Sequence, residues 1–326
     1  MKLHLDKTAF QVLLDEIHER TGYRIDVLEK DYYVVLLLKE LSQFQNDGLS
    51  AYFKGGTALY KALKTTNRFS EDIDLSVDTR DCSRTQNDKR LERATKKFSS
   101  LERDPAQGKT NRSEVTAVYL YEPVSIYDAN DALQRFGKVK IEATSFTISE
   151  PVCSMRISAM IYDLASDEQK SILESTYDVR PFNLQTITIE RIFVGKLFAA
   201  EAYVRNSSVE HRAFDAAKHI YDLAVMADLP EITRFVDDYS KLSRLLEIRI
   251  TEEKERLDGV SGVSPSDFVF FVKAATDANV RKAYDIMQNQ YVLRDEDKID
   301  FDKAMSKITD IQSRLQKNKA WIECDT

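Results

Sequence analysis

The chain has 326 residues, enough for two domains, and a net charge of −7, which weakens any general attraction to nucleic acid. Only 9 Gly and 6 Pro are present, which favours long helices over a loop-rich all-β fold. The 3 cysteines form no C-x-x-C pair, which indicates reduced thiols rather than a cysteine-based zinc site. No apolar run could span a membrane and the charged start does not resemble a secretory signal, so we expect a cytoplasmic protein without a membrane partner.

The first part of the chain predicts helices interleaved with short strands. Apolar residues recur at helical spacing over 7–22 and 26–44, and a third helix is predicted to begin near Thr57. Segment 84–103 predicts a polar helix, and segment 104–113, with its Pro, Gly, Asn and Ser content, predicts a loop. β-branched residues and partial alternation predict strands in five segments, 51–55, 72–77, 114–123, 137–146 and 152–162.

After about residue 187 the sequence shows helical periodicity. The predicted helices span 188–206, 211–227, 231–257, 278–290 and 301–316. We therefore predict an α+β protein in which a small mixed β-sheet flanked by helices (1–180) is followed by a C-terminal helical domain (181–326).

Two carboxylates stand close together in the predicted strand 72–77. A strand sends residues i and i+2 to the same face, about 7 Å apart, so Asp72 and Asp74 point the same way. Carboxylates at this spacing repel each other unless a cation lies between them. Mg²⁺ suits such a site because one or two carboxylates hold it together with substrate phosphate oxygens. The D-x-D pattern alone is common, and an exposed edge strand would also carry it.

A glycine turn precedes this strand. Gly55 and Gly56 allow the backbone to approach a ligand closely, and backbone N–H groups at the helix start near Thr57 are suited to phosphate. A tight structural turn would also explain the glycines. The combination of this turn with the carboxylates, Arg68 and Ser70 is more specific and predicts a nucleoside triphosphate site.

The segment FKGGTALYKALKTTNRFSEDIDLSV (53–77) resembles the signature of the AbiEii/AbiGii toxin family of nucleotidyltransferases, which includes the MenT toxins and belongs to the DNA polymerase β-like superfamily. The family pattern is an apolar-Lys-Gly-Gly-Thr-x-Leu run followed by Arg-Phe-Ser-x-Asp-Ile-Asp-Leu. The segment LEKDYYVVLLLKEL (28–41) is similar to the Glu-Lys-Asp-Tyr helix that precedes this motif in the family. The resemblance covers most of the chain and is strongest over 28–77.

The resemblance implies a Mg²⁺-dependent enzyme that moves a nucleoside monophosphate from an NTP to an acceptor and releases pyrophosphate. It implies one or two Mg²⁺ ions, which Mn²⁺ can replace, on Asp72 and Asp74. The residues expected to bind phosphate or counter its charge are Gly55, Gly56, Thr57, Arg68, Ser70 and Lys196.

The superfamily requires a third carboxylate on a neighbouring strand. Glu142 resembles the acid of the family's Lys-Leu-Glu strand, so we expect it to be the third metal ligand and to help deprotonate the attacking hydroxyl. A surface pair between Lys140 and Glu142 is the structural alternative. Glu150 is a weaker candidate because it precedes Pro151.

In the helical part, Lys196 is a lone cation in an apolar stretch, where it is costly unless it reaches water or has an anionic partner such as a triphosphate. It matches the lysine of a family helix, which implies a catalytic and nucleotide-binding role. His219 and Asp222 lie on one helix face and match the family's Arg-His-x-Tyr-Asp-Leu helix, which implies nucleotide contact. Lys218 stands where arginine is usual, so bidentate phosphate recognition is lost. An isolated helix histidine also has an ordinary structural explanation.

The family resemblance implies the toxin of a bacterial toxin–antitoxin or phage-defence system, with a cognate antitoxin and with tRNA 3′ ends as one acceptor class. Residues 84–112 hold nine Lys/Arg against four acids, and this segment is a candidate RNA contact, although a solvated helix face is the ordinary alternative. Two other functions stay open. One is the same chemistry on a protein or small-molecule hydroxyl, and the other is a non-catalytic binding protein with the same fold.

Overall fold

The computed structural model describes residues 2–62, 64, 68–111, 113–124, 136–254, 260 and 263–317. The chain forms two compact units. The first comprises Met1–Leu63 with Phe69–Ile187, and the second comprises Lys64–Arg68 with Thr188–Thr326. Across the described ranges, no helix is both long and apolar enough to cross a membrane.

The first unit is built around a long buried helix. Its helices, within the described residues, are α1 (Lys7–Thr21), α2 (Ile25–Asn46), α3 (Gly55–Lys61), α4 (Arg84–Lys96), α5 (Met160–Asp163) and α6 (Asp167–Ser175). α1 begins where the Asp6 side chain accepts the N–H of Ala9, and it ends at Gly22, which has a φ of 74°. α2 is buried on nearly all sides, so it forms the centre of the unit rather than a half-exposed face.

One seven-stranded mixed sheet completes the described part of the first unit. Its strands are β1 (Ala51–Lys54), β2 (Ile73–Val77), β3 (Glu102–Asn111), β4 (Glu114–Leu120), β5 (Lys138–Thr144), β6 (Val152–Ile157) and β7 (Phe182–Ile187). Their order in the sheet is β3-β4-β5-β2-β1-β7-β6. The pairs β2/β5 and β1/β7 are parallel and the other pairs are antiparallel. The central strands therefore come from distant parts of the chain.

The second unit is helical in its described residues. Its helices are α7 (Ile189–Arg205), α8 (Glu210–Met226), α9 (Pro230–Asp237), α10 (Tyr239–Lys254), α11 (Phe270–Thr276), α12 (Ala278–Tyr291) and α13 (Phe301–Lys317). α8 packs against α7, α12 and α13. Its buried face carries Ala213, Ala216 and Ala217, and these small side chains let the neighbouring helices approach closely.

The α+β fold class, the mixed sheet and the C-terminal helices are confirmed. The loop predicted over 104–113 is wrong, because most of this segment forms the edge strand β3. The pairing of β3 with β4 shifts register between Asp104 and Lys109, and Pro105 and Gly108 lie within that irregularity. An edge strand with a bulge tolerates both residue types, which explains why composition alone indicated a loop.

Helix boundaries also differ from the predictions. The polar helix predicted over 84–103 ends at Lys96 as α4. The single helix predicted over 231–257 is two helices, α9 and α10, because Asp238 between them has an extended backbone with ψ of 93°. Residues 255–257 of that prediction lie outside the described residues.

Candidate active site

Strands β2 and β5 bring the three predicted carboxylates to one face of the sheet. The strands pair in parallel with Asp74 opposite Glu142, and Asp72 lies two residues before Asp74. Because alternate residues of a strand share a face, all three side chains point to the same side, and all three are partly exposed. The weaker candidate, Glu150, instead forms an ion pair with Arg80 at 2.6 Å.

Lys140 is the cation of this cluster. Its Nζ lies 2.9 Å from Oδ2 of Asp72 and 3.3 Å from Oε1 of Glu142. Partial burial lowers the pKa of Lys140, but Asp72 and Glu142 outweigh it and hold that pKa above its ordinary value. The Lys140–Glu142 pair considered from sequence is therefore present, and it is part of the carboxylate cluster rather than an alternative to it.

Asp74 is the carboxylate whose negative charge is least compensated. Burial, followed by the charges of Glu142 and Asp72, raises the pKa of Asp74 to about 7. Lys54 lies opposite Asp74 on β1 and lowers this pKa, but its Nζ donates to Thr144 Oγ1 at 2.9 Å. The face therefore carries an excess of negative charge beside Asp74.

The predicted divalent cation depends on how these carboxylates are arranged. In the part of the chain that the structure describes, no three His, Cys, Asp or Glu side chains are placed to hold a metal ion together, and Lys140 lies between Asp72 and Glu142. Asp72 and Asp74 are nevertheless oxygen donors on one face. Burial and, after it, the charges of Glu142 and Asp72 raise the pKa of Asp74, and a cation would offset those charges. Mg²⁺ commonly uses one or two carboxylates plus phosphate oxygens. Mg²⁺ itself, and Glu142 as a third ligand, stay predictions.

Gly55 fits closely against Asp74. Its φ is +82°, a left-handed conformation that glycine adopts without strain. A Cβ placed on Gly55 would lie 2.9 Å from Cγ of Asp74 and closer still to its Oδ2. Both the backbone and the contact therefore require glycine, and the contact fixes how near the start of α3 comes to the carboxylate.

Thr57 fixes the segment that leads into β2. Its hydroxyl is buried, contacts Ser70 Oγ at 2.8 Å and donates to the backbone oxygen of Asp72. These bonds hold the strand start against α3. Direct phosphate contact by Gly56, Thr57 or Ser70 stays a prediction.

The family-like run at the start of α2 also has defined partners. Lys30 is buried, and its Nζ lies 3.6 Å from Oε2 of Glu71. Asp31 is buried too, with Oδ1 2.7 Å from Nζ of Lys61 and Oδ2 accepting the N–H of Met160 at 2.6 Å. These side chains tie α2 to the neighbouring elements of the first unit, and sequence reasoning had not assigned them partners.

In the second unit, Asp222 binds two cations. Arg68 donates from Nε and Nη2 to the two carboxylate oxygens at 3.0 and 2.8 Å, and Lys196 Nζ donates to Oδ2 at 2.5 Å. All three side chains are buried. Burial alone would raise the pKa of Asp222, but Arg68 and Lys196 hold it below its ordinary range. Asp222 is thus the anionic partner that a buried lysine needs, a role that the sequence had suggested for a triphosphate.

His219 lies on the same helix as Asp222. Its ring stacks on Tyr203 with centroids 5.4 Å apart and planes inclined by 8°. Burial, followed by the charge of Lys196, holds the pKa of His219 well below its ordinary value, so the imidazole is neutral. Its Nδ1 has no hydrogen-bond partner within the described ranges.

Lys218, in the place of the family's arginine, is held by aromatic rings. Its Nζ lies 5.0 Å from the ring centroid of Phe214 and 5.4 Å from that of Tyr291. It also pairs with Asp215 at 3.3 Å. Cation–π contacts of this kind hold the Lys218 ammonium in place, and nothing in the structure explains the replacement of the arginine.

The predicted residues therefore form two groups, one in each unit. The first comprises Gly55, Gly56, Thr57, Ser70, Asp72, Asp74 and Glu142, and the second comprises Arg68, Lys196, His219 and Asp222.

One protein-family model covers the part of the chain that holds both groups of residues. The family model described as nucleotidyl transferase AbiEii toxin, type IV TA system, matches residues 36–307. No curated protein matches the chain. Three of the solved structures that are similar to the chain have TM-scores below 0.5. The first is MenT4, nucleotidyltransferase toxin Rv2826c from Mycobacterium tuberculosis H37Rv, with 15% identity over 95% of this chain and 98% of that chain and a TM-score of 0.47. The second is JHP933 from Helicobacter pylori, with 15% identity over 98% of this chain and 94% of that chain and a TM-score of 0.36. The third is a nucleotidyltransferase from H. pylori, with 16% identity over 94% of this chain and 95% of that chain and a TM-score of 0.34.

Proposed function

Because the chain belongs to the AbiEii family of nucleotidyl transferase toxins of type IV toxin–antitoxin systems, we propose that it transfers a nucleoside monophosphate from an NTP to a hydroxyl of an RNA acceptor. tRNA is the first acceptor to test, Mg²⁺ is the proposed metal ion, and a cognate antitoxin is the proposed partner. The observation that carries this proposal is the face of the sheet on which Asp72, Asp74 and Glu142 converge beside the Gly55 turn.

The proposed reaction follows from the positions of these side chains. The acceptor oxygen attacks the α-phosphorus of the NTP while its proton passes to the carboxylate of Glu142. The new O–P bond forms as the bond from the α-phosphorus to the bridging oxygen breaks, and pyrophosphate leaves with the electron pair. Asp72 and Asp74 would hold Mg²⁺, which when bound supplies positive charge against the triphosphate. Lys140 holds the carboxylate of Glu142 beside Asp72.

A nucleotide-binding role for the second unit is supported by its buried charges. Arg68 and Lys196 are two cations that share the one carboxylate of Asp222. We propose that the positive charge of this cluster counters phosphate, and that the stacked ring of His219 contributes to the nucleotide site.

The test is transfer of label from NTP to RNA. The purified protein is incubated with each of the α-labelled NTPs, Mg²⁺ and bulk bacterial tRNA, beside an Asp72→Asn/Asp74→Asn variant that keeps the side-chain shapes. We expect label on tRNA with wild type and none with the variant, whose folding is checked by circular dichroism. Label on protein would replace the RNA acceptor by a protein hydroxyl. Label on no acceptor, or equal labelling by the variant, would refute the proposal.

A further inference from the structure

We infer that a lysine-lined cavity beside Asp72 and Glu142 binds a phosphate group of the acceptor, an inference that rests on the proposed nucleotidyl transfer. The cavity has a volume of about 360 Å³, within the range of pockets that hold a small ligand. Its charged walls are the lysines Lys30, Lys109, Lys138 and Lys140 and the acids Glu71, Asp72 and Glu142. The four lysines outnumber the three acids, so the cavity has an excess of positive charge that suits an anionic group next to the reacting hydroxyl.

Two of these lysines are available to an external anion. Lys30 and Lys140 already lie within ion-pair distance of carboxylates. Lys138 instead contacts the neutral amide oxygen of Gln107 at 3.2 Å, and Lys109 is exposed. Within the described ranges neither Lys109 nor Lys138 forms an ion pair. The charge of Lys138 acts on Asp104 only at longer range, so a phosphate in the cavity would be a closer anionic partner for both lysines.

The strand register places Lys109 on the far side of Glu142 from the glycine turn. One row crosses the sheet from β1 to β3 through Lys54, Asp74, Glu142, Thr116 and Lys109. Adjacent strands lie about 4.8 Å apart, so Lys109 is about 10 Å from Glu142 and about 14 Å from Asp74 along this row. Lys138 shares the face of Glu142 on β5. An acceptor whose hydroxyl reaches Glu142 from the β3 side passes Lys109, while Lys138 lines the same cavity along β5.

This arrangement selects an acceptor that carries a phosphate near its hydroxyl. A lysine binds phosphate as a point charge and does not read a base, so the cavity recognises the phosphate of many nucleotides equally. The end of an RNA strand and a free nucleotide share this chemistry. A protein hydroxyl brings no phosphate and would leave Lys109 and Lys138 unpaired.

The basic helix α4 lies on the other face of the sheet. Tyr119 donates its hydroxyl to the backbone oxygen of Thr95 in α4, and its neighbour Val118, which points the opposite way, lines the cavity. Lys89, Arg90, Lys96 and Lys97 belong to the basic segment 84–112 that the sequence marks as a candidate RNA contact, and the sheet separates them from Glu142. Lys89 and Lys97 are exposed, so their removal is a charge-matched control.

The test compares Lys109→Ala/Lys138→Ala with the control Lys89→Ala/Lys97→Ala. Three probes are used: an RNA oligonucleotide with a free 3′ hydroxyl, a nucleoside 5′-monophosphate, and the same nucleoside without phosphate. We expect KM for the phosphorylated acceptor to rise about tenfold or more in the cavity variant Lys109→Ala/Lys138→Ala, while KM for NTP stays unchanged. In the control variant, KM for the acceptor and KM for NTP should both stay unchanged. An effect on RNA alone identifies a nucleic-acid acceptor, and an effect on the monophosphate alone identifies a small phosphorylated acceptor.

Direct binding of fluorescent RNA without NTP gives a readout that does not depend on transfer. The slope of log K against log salt should become shallower by about 1.4 in the cavity variant, as expected for two lost phosphate contacts to a single strand. Unchanged KM and salt slope, or an equal loss with the unphosphorylated nucleoside, would overturn the inference and leave the proposed function standing. A wild-type protein that labels no acceptor would instead refute the proposed function, while the binding measurement would still decide whether the cavity takes phosphate.

Discussion

Replacing Gly55 by alanine tests the contact between the glycine turn and Asp74. Gly55 and Gly48 both have a φ of +82°, but a Cβ on Gly48 would meet nothing within 4 Å, whereas a Cβ on Gly55 would lie 2.9 Å from Cγ of Asp74. Alanine at either position carries the cost of a left-handed backbone, about 1–2 kcal/mol. Gly48→Ala is therefore a matched control for the strain alone.

The contact with Asp74 should add a second cost in Gly55→Ala. Ordinary carbon contacts are 3.4 Å or longer, so the carboxylate has to move away from the new methyl group. Overpacking of this kind typically costs about 1–3 kcal/mol. We expect Gly55→Ala to lower the free energy of unfolding by about 2–5 kcal/mol and Gly48→Ala by about 1–2 kcal/mol, measured by urea unfolding followed by circular dichroism.

A double-mutant cycle separates the two costs. Asp74→Ala removes the carboxylate that the new methyl group meets, so Gly55→Ala should cost less in that background, with a coupling energy of about 1–3 kcal/mol. Nucleotidyl transfer should fall about 100-fold in Gly55→Ala, because a shift near 1 Å at a reacting centre has that effect, and should persist in Gly48→Ala. Equal stability and equal activity of the two alanine variants would show that Asp74 does not rest against Gly55.

Three further changes test charged side chains of the two groups and of the first unit. Asp74→Asn should stabilise the metal-free protein, and this stabilisation should increase between pH 4 and pH 7. The pKa of Asp74 in the folded state is about 7, so its ionisation increasingly opposes folding as the pH rises. The difference in the free energy of unfolding is at most about 4 kcal/mol, and a pH-independent difference in urea unfolding would contradict the prediction. Lys61→Met should destabilise the protein by about 3–5 kcal/mol by leaving Asp31 buried without its cation, and Lys61→Met/Asp31→Leu should recover most of that loss in the same assay. Asp222→Asn should cost about 3–5 kcal/mol in thermal or urea unfolding because two buried cations lose their counter-charge, and a loss below about 1 kcal/mol would argue against the buried cluster.

The features that could be predicted from sequence are those set by neighbouring residues. The shared face of Asp72 and Asp74 follows from strand geometry, and the glycine turn follows from residue type. The placement of Glu142 beside Asp74 depended on the family resemblance, since the parallel pairing of β2 with β5 joins segments that are far apart in sequence.

The roles that could not be predicted depend on long-range register. Lys140 was considered only as a partner of Glu142, and its shorter contact with Asp72 arises from the β2/β5 pairing. The apolar neighbours of Lys196 correctly predicted that it needs an anionic partner. The sequence around Lys196 does not show that Asp222, on the next helix, lies within hydrogen-bond distance. Lys109 fell in a predicted loop because Pro105 and Gly108 obscure an edge strand.

The ion pair between Arg68 and Asp222 joins residues that the ribosome adds to the chain at very different times. The two residues are 154 positions apart, and Arg68 directly precedes the segment that leads into Asp72. At about 5–20 residues per second, roughly 8–30 s of synthesis separate them. During that interval Asp222 has not been made and cannot bind Arg68. The nascent chain therefore contains strand β2 with Asp74 before it contains the residue that holds Arg68.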